Sequence, residues 1–60
     1  MIYIIVGETF DHIYCHLSTS SELKYAAANF DQIYSGYKRL ILYLFDPRSE
    51  TVMRLQERMQ

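Results

Sequence analysis

The residues with the clearest chemical potential are two histidines and the single cysteine, His12, His16 and Cys15. Imidazole and thiolate groups are ligands that zinc prefers in proteins. If this segment is a strand, the two imidazoles lie about 13 Å apart and Cys15 points to the opposite face. If it is a helix, the histidines lie one turn apart, but the sequence offers no second ligand cluster to complete a tetrahedral site. We therefore predict no metal and no other cofactor.

Nucleophilic catalysis requires a serine or cysteine beside a base and an orienting group, all held in a pocket. Three serines follow His16 closely, but their positions are typical of a loop and a helix cap. Gly7 and Gly36 stand alone, so the sequence has no phosphate-binding glycine loop. A chain of 60 residues also has little room for a pocket of several hundred Å³. We predict that this protein is not an enzyme.

Length and composition predict one domain over residues 1–60. Half of the residues are apolar, which excludes a disordered chain. A domain of this size has a thin stability margin, and its lone cysteine cannot form an internal disulfide. Association with a second copy or a target is the remaining means of stabilisation. The unpaired thiol favours the cytoplasm, and the opening residues are too few for a signal peptide or a membrane span.

The first half of the chain predicts two strands and a helix. β-branched and aromatic residues indicate a strand over 2–6. Residues 10–17 fit both helical and strand spacing, and we favour a strand over 12–17. Thr19 and Glu22 then have the spacing of a helix capping box. An apolar stripe at helical spacing follows, comprising Leu23, Ala26, Ala27, Phe30 and Tyr34. Gly36 then suits a left-handed C-terminal cap of this helix.

The last third of the chain predicts a strand over 38–45 and then a second helix. Asp46 is expected to cap this helix, with Pro47 at its first position. Glu50 and Arg54 would form an ion pair one turn apart. A narrow apolar stripe would run along the helix through Val52, Leu55 and Met59.

The predicted fold is therefore α+β with ββαβα topology, a three-stranded antiparallel sheet in the order 2-1-3, one helix packed on the sheet and a C-terminal helix. Alternation along the strands divides the apolar residues between the two faces of this sheet. The set expected under the first helix is Ile2, Ile4, Val6, Ile13, Cys15, Leu17, Leu40, Leu42 and Leu44. The other set is Tyr3, Ile5, Tyr14, Ile41, Tyr43 and Phe45.

The second apolar set is the feature that points to function. A sheet covered on one side normally carries polar residues on the other, and large exposed apolar patches mark interaction sites. Three coverings are open: the C-terminal helix, a second copy of the chain, or a target protein. Tyrosine and arginine are common in binding hot spots. The candidate interface residues are Tyr3, Tyr14, Ile41, Tyr43, Phe45, Val52, Arg54, Leu55 and Arg58.

These features predict a small protein-binding module that forms a homodimer and contacts a target protein. Nucleic-acid binding is the alternative, because Tyr3, Tyr14 and Tyr43 could stack on bases. Phosphates would need cations on the same face, and Arg39 is the only one that the confident strands place there. We therefore expect neither a nucleic-acid partner nor a membrane partner.

The chain resembles a loose class of small phage-encoded proteins. The likeness rests on residues 2–6, on Ile-Tyr-Cys-His-Leu-Ser-Thr-Ser-Ser-Glu-Leu-Lys-Tyr-Ala-Ala-Ala from Ile13, and on residues 37–45. The class pattern is a hairpin whose strand ends in F/L-S-T/S, an alanine-rich helix and a third strand, and the likeness covers residues 1–45. Several such proteins bind and inhibit host polymerases, nucleases or defence systems. The resemblance implies an inhibitor or modulator in the host cytoplasm, and it assigns no functional residue.

Overall fold

The computed structural model describes residues 1–33 and 36–60, which form four strands and one helix. In chain order these are β1 (Ile2–Glu8), β2 (Tyr14–Ser20), α1 (Leu23–Gln32), β3 (Arg39–Asp46) and β4 (Thr51–Met59). The strands form one antiparallel sheet in the order β2-β1-β3-β4. The α+β class and the neighbours of β1 agree with the sequence prediction, whereas the three-stranded ββαβα topology is wrong. Within the described residues, no helix has the length and apolar character needed to cross a membrane.

The predicted C-terminal helix does not form, because its expected first turn is the loop of a hairpin. The Asp46 Oδ1 atom accepts a hydrogen bond from the Arg48 backbone N–H at 3.0 Å, so Asp46 caps a turn. Pro47 opens that turn, and Glu50 closes it with a left-handed φ of 55°. Capping residues suit helix starts and tight turns equally, and here they return the chain against β3 as strand β4.

The neighbouring strand explains why the last segment is extended. Leu40, Ile41 and Leu42 of β3 are all buried, so an unpaired edge on this strand would leave buried N–H and C=O groups without partners. Pairing with β4 satisfies those groups and outweighs the helix preference of the terminal sequence. The expected Glu50–Arg54 pair is replaced as well, since Arg54 forms an ion pair with Glu57 at 3.0 Å.

Helix α1 packs on β1, β2 and β3 and closes the core. Ala26 and Phe30 are its buried residues, and they meet Ile5, Leu40 and Leu42 of the sheet. Four partly buried residues surround this cluster: Tyr3, Leu17, Ile33 and Tyr37.

The predicted limits of the helix need correction. Leu23, expected in the buried stripe, is 51% exposed, and Tyr34 lies outside the described residues. The capping box is wrong, because Thr19 belongs to β2 and the helix starts after Glu22 without a side-chain cap. Because α1 ends at Gln32, Gly36 is not its cap, although its φ of 90° is in the left-handed region.

The register between strands corrects the predicted faces. Tyr3 pairs with Leu44 and Ile5 with Leu42, so these β1 residues lie beneath α1. The predicted faces are therefore wrong for β1, because alternation fixes sides within a strand while register relates one strand to the next. We call the side under α1 the helix face and the other the open face. Ile2, Ile4 and Val6 move to the open face, whereas Ile13 lies in the β1–β2 connection.

Each outer strand contains a bulge that changes which residues share a face. In β2, which extends over Tyr14–Ser20 rather than 12–17, the extra residue is Leu17. In β4 the extra residue is Leu55. A bulge brings residues i and i+3 to the same side, whereas regular strands place them on opposite sides. The bulges therefore place His16 together with Thr19, and Arg54 together with Glu57, on the open face.

Candidate protein-binding face

The open face is a four-stranded surface that no described element of the chain covers, because α1 packs on the opposite side. The strand register places two kinds of side chain on it. Apolar residues fill the part near the β3–β4 turn, and charged or polar residues fill the part near the start of β3. The apolar members are Ile2, Ile4, Val6, Ile41, Tyr43, Phe45 and Val52, with Met59 at the far end of β4.

The apolar part is half-buried even though no helix covers it. Ile41 is only 1% exposed, because it lies between Val6 of β1 and Glu57 of β4 in the register. Tyr43, the next residue on this face of β3, and Phe45 beyond it remain partly exposed, and Val52 on the outer strand is 63% exposed. Ile41 therefore supports this surface from within, while the aromatic rings and Val52 offer area to a partner.

The polar part is a network centred on Arg39. The Arg39 Nη1 atom lies 3.3 Å from Glu57 Oε2, and its Nε atom lies 3.2 Å from Glu8 Oε1, an ion-pair contact without hydrogen-bond geometry. The Arg39 Nη2 group donates a hydrogen bond to the Tyr14 hydroxyl. Arg54 Nη1 completes the chain of contacts at 3.0 Å from Glu57 Oε1. These contacts join side chains from all four strands.

The strand register and the β4 bulge assemble this network. Glu8 lies between Tyr14 on β2 and Arg39 on β3, since it pairs with both. Arg54 and Glu57 are three residues apart, and in a regular strand they would face opposite sides. The bulge at Leu55 brings them to the open face together, where both reach the same cluster.

The carboxyl group of Glu8 has a shifted pKa. The hydrogen bond that His12 donates to its Oε2 atom at 3.1 Å lowers the pKa below the ordinary glutamate value. Burial raises the pKa of Glu8, and the charges of Arg39 and Lys38 lower it further. The net effect favours the ionised carboxylate, so Glu8 and Glu57 together balance the two arginines.

The structure brings six of the nine candidate interface residues onto one face. Tyr3 is beneath the helix, and Leu55 lies at the bulge on the helix side of β4. Arg58 also lies on that side, with its guanidinium 4.9 Å from the Phe30 ring and 3.3 Å from Asp31 Oδ1. The six on the open face are Tyr14, Ile41, Tyr43, Phe45, Val52 and Arg54.

The candidate metal ligands have other partners. His12 lies in the β1–β2 connection and contacts Glu8, whereas His16 shares a 2.6 Å hydrogen bond with Thr19. Cys15 is a free, partly exposed thiol that pairs with Gly7 on the helix face. Over residues 1–33 and 36–60, no three histidine, cysteine or acidic side chains come together as a metal site.

A cleft of about 300 Å³ lies at the β3–β4 turn, lined by Met1, Asp46, Pro47 and Arg48.

Sequence reasoning missed the network of Glu8, Arg39 and Glu57. The sequence predicts a turn over residues 7–11, which includes Glu8, whereas Glu8 is the last residue of β1 and is 9% exposed. The available signal was a charged residue directly beyond an apolar strand, which is common and does not identify a partner.

Comparison of the chain with family models, curated proteins and solved structures finds no match.

Proposed function

We propose that this chain is a small protein-binding module whose open face receives an apolar surface of a partner protein. One observation supports this function above the others. Tyr43, Phe45 and Val52 form an apolar surface on a sheet face that the described residues leave uncovered. An uncovered apolar face bordered by polar side chains is typical of protein interaction sites.

The composition of the face defines the kind of partner. The centre would receive aliphatic or aromatic side chains against Tyr43 and Phe45, which follow buried Ile41 in turn along the open face of β3. The border already contains equal numbers of strong cations and anions, Arg39 and Arg54 against Glu8 and Glu57. A partner with a mixed, weakly charged border therefore fits better than a strongly charged one.

Nucleic-acid binding, the alternative function, has less support. Tyr14 and Tyr43 share the open face, but Tyr3 lies beneath α1, which separates the three tyrosines. Phosphate binding releases counterions only where cations are available to the phosphates. Both arginines of the open face are paired with carboxylates within 3.3 Å, so a phosphate would have to displace those partners.

The proposal assigns binding to this chain rather than catalysis. Each histidine has a hydrogen-bond partner that would have to be displaced before it could serve a substrate. The resemblance of residues 1–45 to phage-encoded proteins suggests that the partner is a host enzyme or a component of a defence system. Inhibition of that partner in the host cytoplasm is the corresponding biological role.

A matched pair of tyrosine substitutions tests the proposal. We expect Tyr43→Ala to weaken binding to the purified partner by more than about tenfold, because aromatic hot spots contribute at least about 2 kcal/mol. Tyr25→Ala is the control, since Tyr25 is 55% exposed on α1 and lies away from the open face. The partner is first isolated on immobilised wild-type chain, and each Kd is then measured by calorimetry.

A melting curve separates binding from folding in this experiment. Loss of binding by Tyr43→Ala with a small change in Tm supports the proposed face. If Tyr43→Ala and Tyr25→Ala bind the purified partner as tightly as the wild type, the open face is not the contact. Retention of nucleic acid that is released steeply by salt would favour the alternative.

A further inference from the structure

The outer edge of β4 carries a pattern that its pairing with β3 does not explain. The strand has nine residues, and no described strand pairs with its other side. Four apolar side chains on it are 40–63% exposed, which is unusual for a strand that also presents backbone N–H and C=O groups. These are Val52, Met53, Leu55 and Met59.

We propose that β4 pairs with β4 of a second copy of this chain and joins two sheets into one of eight strands. This inference concerns the pairing edge of β4 and not Tyr43 and Phe45 at the centre of the open face, although the two surfaces share Val52 and Arg54. Exposed edges are templates for strand addition, and a two-fold axis makes the same edge complementary to itself when strands run antiparallel.

The bulge selects one register for this pairing. On the open face of β4 lie Val52, Arg54, Glu57 and Met59, which are symmetric about the midpoint between Leu55 and Gln56. Residues directly opposite each other in an antiparallel pair share a face. Only the register centred at that midpoint matches open-face residues with open-face residues along the whole strand.

Charge complementarity supports the same register. It places Arg54 opposite Glu57 of the second copy, and the two-fold axis repeats this pair. Val52 then lies opposite Met59 of the second copy, so an apolar contact flanks each ion pair. Charges on edge strands prevent association when like charges meet, whereas this arrangement joins opposite charges. The antiparallel two-fold axis also brings the two open faces side by side on one surface of the joined sheet.

Charge reversal at the two positions tests both the partner and the register. We expect the wild-type chain to sediment as a dimer, and Arg54→Glu or Glu57→Arg alone to raise the dimer Kd more than about tenfold, because two like-charge pairs would form. A mixture of the two variants should form a heterodimer with near wild-type affinity, since both opposite-charge pairs are restored. Arg48→Glu, in the exposed β3–β4 loop, is the matched control and should leave the dimer Kd unchanged.

A cysteine experiment keeps the test decisive if Glu57→Arg, which also loses the Arg39 contact, fails to fold. In a Cys15→Ser background, an oxidised mixture of Val52→Cys and Met59→Cys chains should form the mixed disulfide faster than either chain alone forms its own. A monomeric wild type would overturn the proposal. Charge variants that each dimerise as tightly as the wild type, or equal disulfide rates in mixed and unmixed samples, would overturn the register and with it the proposed edge.

Discussion

The two outer strands of the sheet, β2 and β4, are built alike but held differently. Both pair on one side only, and both contain a bulge that sends residues three apart to the open face. Strand β2 lies against α1, with Leu17 packed on the core. Its Ser18 Oγ atom accepts a hydrogen bond from Asn29 Nδ2 of α1 at 3.2 Å. Among the described residues, α1 does not pack along β4 but contacts it through Arg58, and all residues of β4 except Arg58 are exposed.

This difference indicates that β4 is held by backbone pairing and charge rather than by burial. Its side-chain contacts include ion pairs of Arg54 with Glu57, Glu57 with Arg39, and Arg58 with Asp31, and the Arg58 guanidinium also lies 4.9 Å from the Phe30 ring. Exposed ion pairs contribute about 0–1 kcal/mol each, whereas a fully buried aliphatic or aromatic side chain contributes about 1.5–3 kcal/mol. The sheet therefore has one edge fixed by its core and another whose apolar side chains remain available.

The largest expected effect on stability is in the core beneath α1. Phe30→Ala removes the ring at the centre of the core, where it is 0% exposed, and should reduce the free energy of unfolding by about 3–5 kcal/mol. Leu55→Ala changes the extra residue of β4, which is 40% exposed, and should cost less than about 1 kcal/mol. Urea denaturation followed by circular dichroism measures both values.

The same two variants also test whether β4 is held by less burial than the core beneath α1. A domain of 60 residues has a stability of about 3–9 kcal/mol, so Phe30→Ala should remove between about a third and all of it. Comparable losses for Phe30→Ala and Leu55→Ala would mean that β4 is supported by packing as strongly as the helix-covered half. Measurement at low protein concentration keeps any effect of Leu55→Ala on self-association out of the comparison.

A smaller effect is expected at Gly7, where β1 approaches Tyr37 closely. A Cβ atom at this position would lie 2.7 Å from Tyr37 Cδ1 and 2.9 Å from Leu17 Cδ1. Gly7→Ala should therefore displace both side chains and cost about 1–3 kcal/mol, as overpacking does in other cores. Gly36→Ala is not a neutral control, because its φ of 90° strains any side chain. Ala28→Gly on the exposed α1 surface should cost about 1 kcal/mol, and a smaller loss for Gly7→Ala than for this control would contradict the close approach.

Local sequence patterns predicted the strands and the helix whose local preference matches their burial in the folded chain. Residues 2–6 and 38–45 are rich in β-branched or large apolar side chains and form β1 and β3 in the centre of the sheet. The stripe containing Ala26 and Phe30 predicted α1 because its burial repeats at helical spacing. In these segments propensity, periodicity and burial all favour one structure.

The last segment could not be predicted because its structure depends on a distant strand. Residues 51–59 contain Leu, Gln, Glu and Arg, which favour a helix, and Asp46 with Pro47 suits a helix start. The unpaired edge of β3 outweighs these local preferences, and no pattern within residues 46–60 reports that edge. The charged network was missed for the same reason, since Arg54 and Glu57 share a face only through a bulge.

The smallest expected effect is at Glu8, whose contacts extend towards both outer strands, β2 and β4. It contacts His12 in the β1–β2 connection and Arg39, whose guanidinium reaches Glu57 on β4. The His12 hydrogen bond lowers the pKa of Glu8 in the folded chain, so the unfolded chain binds more protons between the two pKa values. Stability from this group should be complete above the ordinary glutamate pKa and should decrease as pH falls through the lowered pKa.

Chemical denaturation at a series of acidic pH values measures this contribution, with Glu8→Gln compared against wild type. Glu22→Gln is the matched control, because Glu22 is exposed before α1 and its side chain makes no cap hydrogen bond. We expect the free energy of unfolding to depend less steeply on pH in Glu8→Gln than in the wild type and Glu22→Gln. Equal slopes in all three proteins would mean that the partners of Glu8 do not stabilise its ionised form in the folded chain. In that case the Arg39–Glu57 ion pair and backbone pairing would hold β4 against β3 without a contribution from Glu8.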